Sequence, residues 1–175
     1  MAPVRAVLES ASLLTVEQGL AVVDAGLNRR LYDAERLASQ LELMQSWPGC
    51  RHLQLVVRMA DGRSGSVAES RCRYLFWRWG LPAPQLQYEV TSDGVLIGIS
   101  DFVWPDLGLI VEFDGKEKYL KHLRPGESPG DAVFREKRRE DALRRVTGWR
   151  VIRLTWGDLE RPERVAGLLR AALAA

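Results

Sequence analysis

The stretch Gly98–Gly115, GISDFVWPDLGLIVEFDG, limits this chain more than any other part of it. It reads as two strands joined by a tight turn. Val95, Ile97, Ile99 and Val103 alternate along the first strand, and Asp101 falls in the same register. In the second strand Glu112 and Asp114 stand two residues apart and so project from one face. The run Leu109-Ile110-Val111 and the intervening Phe113 are otherwise those of a buried strand. Several carboxylates buried near one another cost free energy unless a cation or a proton neutralises them. Asp101, Glu112 and Asp114 are therefore a candidate metal site, with acids capping turns or lining a solvated edge as the plainer alternative.

The rest of the composition is that of an ordinary soluble globular chain, 46% apolar and 27% charged. Its net charge of +2 gives no whole-chain argument for a polyanionic partner, so such an argument has to come from local clustering. No apolar run is long enough to span a bilayer, and the start lacks a basic segment followed by an apolar one. The expectation is a cytoplasmic protein that does not enter a membrane. Cys50 and Cys72 form no CxxC pair or Cys/His cluster and are expected as free buried thiols.

Residues 1–62 are expected to be a small helical region. Thr15 and Gln18 fit a capping box, Asp33 a second N-cap, and Pro48-Gly49 a helix break. His52 is expected as a satisfied or surface histidine rather than a ligand. The polar, glycine-rich Asp61–Gly65 marks the expected boundary with a second domain over 63–175. That domain starts with a helix from Ser66 to about Gly80, followed by the strand QLQYEV, an Asp93-Gly94 hairpin turn and the two acid-bearing strands. After a charged loop, Ser128 and Pro129 start a basic helix that stops at Gly148. A last strand near 149–155 and a closing amphipathic helix follow. The expected architecture is α/β, an α-β-β-β-α-β core with a mixed sheet.

Within that order lie four short motifs: Glu69-Ser70-Arg71-Cys72-Arg73, Asp101 through Trp104-Pro105, Val111-Glu112-Phe113-Asp114-Gly115, and Gly148-Trp149-Arg150-Val151-Ile152-Arg153. Together they resemble the PD-(D/E)XK nuclease superfamily, in particular its very-short-patch-repair-endonuclease-like domains, over roughly residues 66–160. Residues 1–60 resemble the region that precedes this domain in abortive-infection antitoxin-type proteins, without the winged helix that opens those. The resemblance implies a restriction-endonuclease-like core and a Mg²⁺- or Mn²⁺-dependent DNA endonuclease. Asp101 would be the central metal ligand and Glu112 the second. The third motif position usually carries lysine, and here it is Asp114. Asp114 would then complete the metal site, with Lys116 or Lys118 supplying the displaced positive charge. The same departure fits a domain that has lost hydrolysis and serves DNA binding or antitoxin-type regulation. Glu69 would approach the metal through water, although Ser66 three residues before it makes a capping box that explains the glutamate by itself.

Arg135, Lys137, Arg138, Arg139, Arg144 and Arg145 crowd the basic helix, diluted by Glu136, Glu140 and Asp141. Arg135 and Arg139 share a stripe with Ala142 and Val146, which would bring them beside the acid edge of the sheet. One reading is phosphate contact with DNA, extended by Arg71 and Arg73. The other is a solvated helix laced by pairs such as Glu140–Arg144 and Asp141–Arg145. Asp106 reads as a turn residue, and Trp77, Trp79, Trp104, Trp149 and Trp156 as core aromatics. Residues 1–60 are also a candidate surface for a protein partner or a second copy.

Overall fold

A computed structural model describes residues 2–115 and 128–174 and divides the chain into two compact units, Met1–Arg78 and Trp79–Ala175. The first unit is helical: α1 (Pro3–Ser12), α2 (Val16–Asn28), α3 (Ala34–Glu42), α4 (Cys50–Met59) and α5 (Val67–Arg78). Its helix starts are local chemistry. Thr15 and Gln18 close a reciprocal capping box, and the Asp33 side chain accepts the Arg36 amide. Leu8, Ala11, Val23, Tyr32, Leu37, Met44, Leu53 and Val56 form its core. The His52 ring is satisfied by the Ala11 carbonyl at 2.9 Å, and Cys50 and Cys72 are buried thiols outside any disulfide.

The sequence sets the boundary at 62/63, whereas the compact units divide after Arg78. The reason is a buried polar knot that ties α5 to α2. Asp24, fully buried, receives the Ser70 hydroxyl at 2.7 Å, the Asp61 amide at 2.8 Å and Arg73 Nη1 at 2.7 Å. Arg73 also donates to the Ser64 hydroxyl and to the Met59 carbonyl. Burial pushes the Asp24 carboxyl above its ordinary pKa, against the downward pull of Arg73, the Asp61 amide and Ser70.

The second unit is built on a four-stranded sheet in the order β1 (Gln85–Ser92), β2 (Val95–Trp104), β3 (Leu109–Phe113), β4 (Arg150–Leu154). The first three strands are antiparallel and β4 joins β3 in parallel, which makes the mixed sheet expected of this α/β chain. Asp93 and Gly94, both at positive φ, turn the β1–β2 hairpin. A 3₁₀ turn at Pro105–Leu107 holds Asp106, and Gly108 at φ 57° leads into β3. Every residue of β3 is buried. Helix α6 (Pro129–Thr147) starts on a Ser128–Asp131 capping box and ends at Gly148 in the left-handed region. It packs against β1, β2 and β4, and the short α7 (Trp156–Leu159) and α8 (Pro162–Leu173) close the unit.

Two expectations about apolar residues differ. Along β2 the buried side chains are Ser100, Phe102, Val103 and Trp104, while Val95 and Ile99 are exposed. The apolar alternation at the start of that strand therefore marks a hairpin tip and not the core face. Of the tryptophans, Trp104 is buried and donates to the Pro82 carbonyl, but Trp77 and Trp156 are each almost half exposed. Trp156 lies edge-on to Phe113, with ring centroids 5.1 Å apart.

Candidate functional site

The acid cluster lies where the β2–β3 ladder stops. The paired residues are Trp104↔Leu109, Val103↔Ile110 and Phe102↔Val111, and the same register continued by one residue sets Asp101 opposite Glu112. Beyond Phe102 the strands are joined by side chains. Asp101 Oδ2 accepts the Phe113 amide at 2.9 Å. Arg139, reaching in from α6, donates from Nη1 to the Ile99 carbonyl at 3.1 Å and from Nη2 to both Glu112 oxygens at 2.9 Å. Its guanidinium thus bridges the two strands. Ser100 Oγ lies 3.4 Å from Glu112 Oε1, a long and weak contact. A Cβ on Gly98 would sit 3.3 Å from Arg139 Nη1, so the glycine leaves room for that side chain to run along β2.

Glu112 is only 6% exposed, so its charge must be met inside the protein, and Arg139 meets it. Asp114 stands just past β3, where its amide donates to the Leu154 carbonyl at 2.8 Å and so continues the parallel pairing with β4. Its carboxylate is 3.5 Å from Arg153 Nη1. Arg153 Nη2 in turn contacts Glu140 Oε2 at 2.6 Å, and the other Glu140 oxygen takes Arg144 Nη2 at 2.6 Å. Arg153 and Glu140 join the acids here, although the sequence placed Arg153 only in a motif and Glu140 only in a helical ion pair. The available signal was the arginine closing the Gly148–Arg153 motif, since β4 runs parallel to β3 and sets Arg153 beside Glu112.

Carboxylate oxygens on adjacent strands suit a hard divalent cation that keeps much of its water shell, and Asp101 and Glu112 are the residues that would hold one. Among the described residues no group of three or more His, Cys, Asp or Glu side chains is arranged to hold a metal ion. Asp114, the expected third ligand, lies 3.5 Å from Arg153 Nη1.

The remaining expected site residues fall in three places. Lys116 and Lys118 lie outside the described residues. Glu69, Arg71 and Arg73 belong to the first unit. There Glu69 Oε1 receives the Ser66 hydroxyl at 2.8 Å and Oε2 the Gly65 amide at 2.8 Å, while the Ser66 hydroxyl accepts the Glu69 amide, so the side chain serves the start of α5. Arg71 pairs with Glu17 at 2.6 Å, and Arg73 with Asp24. On α6, Lys137 and Arg138 are exposed and Arg135 is half-buried. The Arg138 guanidinium lies 6.0 Å from the ring centre of Phe134, which is 63% exposed. The same helix therefore carries both features read from its sequence, an inward arginine on the acids and a Glu140–Arg144 ion pair.

No family model matches the chain, and no solved structure matches it. It is similar to two uncharacterized proteins of Mycobacterium tuberculosis, one from each of two strains, each 30% identical over 166 residues. The alignment covers 94% of this chain but spans only 58% of the length of those relatives. No helix among the described residues is long and apolar enough to cross a membrane.

Proposed function

We propose that the second unit is a metal-dependent phosphodiesterase acting on DNA, with Asp101 and Glu112 as its metal-holding pair. The observation that supports it is the register that sets the buried Glu112 opposite Asp101 on adjacent strands, with the Arg139 guanidinium as the cation those acids hold when no metal is bound. A divalent ion bound there supplies Lewis acidity and a water of lowered pKa. Asp101 and Glu112 would hold it, one from each of two paired strands. Arg135, Lys137 and Arg138 on α6 hold the DNA backbone by its phosphates. Incubation of the protein with single-stranded, double-stranded and mismatched DNA and Mg²⁺ or Mn²⁺ tests this. Asp101→Asn keeps an acceptor for the Phe113 amide and should lower cleavage at least about a hundredfold. Absence of metal-dependent cleavage on every substrate would sink the reading.

Asp114 favours a second reading. It stands where a lysine would orient the nucleophile, and it pairs with Arg153. A nuclease-fold module that binds DNA or serves antitoxin-type regulation without hydrolysis accounts for that substitution. DNA binding without cleavage would select it.

A further inference from the structure

We infer that Arg139 is an internal cation that occupies the acid pair until a ligand displaces it, so that uptake of a divalent metal at Glu112 is an exchange reaction with the Arg139 guanidinium. The inference rests on the proposed metal role of Asp101 and Glu112. Arg139 Nη2 covers both oxygens of Glu112 at 2.9 Å, leaving a hard cation to compete for the same atoms. The same guanidinium donates from Nη1 to the Ile99 carbonyl at 3.1 Å. The Arg139 side chain is 27% exposed, against 8% for Glu112, so the arginine has the outward path and the carboxylate does not. Gly98 contributes no side chain to wall it in.

Two consequences follow from mass action. Metal binding to the resting protein is weaker than the carboxylates alone would give, because the guanidinium must first be released. An anionic phosphate that takes the released guanidinium tightens metal binding, and the metal tightens phosphate binding by the same factor. Arg139 is on this account a positioning residue that couples the basic helix to the acids: without ligand it holds Glu112; with ligand it faces the backbone of the nucleic acid. The pairing also removes a naked buried charge from the unliganded protein.

Mn²⁺ titration monitored by electron paramagnetic resonance, with no DNA present, tests this on the full chain. Arg139→Gln should bind Mn²⁺ about tenfold or more tightly than the unmodified protein. Arg139→Lys guards against a variant that fails to fold. It keeps a positive charge near Glu112 but cannot span Glu112 and Ile99 together, and its affinity should be intermediate. Adding a short single-stranded oligonucleotide should tighten Mn²⁺ binding in the unmodified protein and not in Arg139→Gln. Unchanged or weaker Mn²⁺ binding in both folded variants overturns the inference. The readout also separates the two ideas. Tighter Mn²⁺ without DNA cleavage keeps the exchange and discards the nuclease, whereas cleavage with Mn²⁺ affinity unaffected by Arg139 does the reverse.

Discussion

Replacing Asp24 with alanine should unfold the first unit far more readily than the loss of one small side chain suggests. The substitution leaves the Arg73 guanidinium, whose side chain is 12% exposed, inside the helical unit with its carboxylate gone. It also strips an acceptor from the Ser70 hydroxyl and the Asp61 amide. Breaking a buried pair by removing one member costs about 3–5 kcal/mol. That is a large part of the roughly 5–15 kcal/mol that holds a typical domain folded. Native-state amide hydrogen exchange at Leu20, Leu53 and Val56 measures it within the unit itself, where the cost becomes roughly 10²- to 10⁴-fold faster exchange. The control is Asp24→Leu with Arg73→Met, which removes both charges. Apolar replacements of a buried pair are often close to neutral, so the double variant should recover most of the loss. A single-variant cost below about 1 kcal/mol, or a double variant no better than the single, would refute the reasoning. The result also decides what Arg73 is for. A structural Arg73 predicts that Arg73→Ala lowers the folded fraction and leaves the DNA affinity of the folded protein alone.

Two further outcomes are expected. Lys137→Ala and Arg138→Ala should each weaken DNA binding across all sequences and reduce the slope of log affinity against log salt by about 1; no change in slope would remove these side chains from the interface. Tyr32 should titrate late, because burial first and the nearby Asp24 charge second raise its pKa to about 12 from 10.0. The folded state thus holds the phenolic proton more tightly than the unfolded chain, so stability is full below pH 10.0 and is lost as pH rises towards about 12. Tyr32→Phe should abolish that alkaline loss and, by removing the hydrogen bond to the Val23 carbonyl, cost about 1 kcal/mol at neutral pH. Tyrosinate absorbance during alkaline titration checks the raised pKa, and urea unfolding at neutral and alkaline pH, with and without Tyr32, checks both stability effects.

Much of the architecture was legible because its causes are local. The Thr15, Asp33, Ser66 and Ser128 caps, the Asp93-Gly94 turn and the Gly148 stop each depend on hydrogen bonds or dihedral freedom within a few residues. The strands followed from alternation and the mixed sheet from the helix between β3 and β4, whereas the pairing that sets Asp101 opposite Glu112 came from the sheet itself. What each acid is bonded to was not visible. Arg139 reaches Glu112 across 27 residues, and a basic helix offers six arginines and lysines with no local rule to choose among them. Arg73 reads as a nucleic-acid contact until Asp24, 49 residues away, is found beneath it.

The sequence alone therefore determined the elements, their caps and the line of carboxylates at the end of β2 and β3, since period, register and capping are properties of neighbouring residues. Tertiary structure decided that Arg139 neutralises Glu112, that Arg153 takes Asp114, and that α5 joins the helical unit. A buried charge must be met by whichever opposite charge the fold carries to it, and chain distance does not specify which one that is.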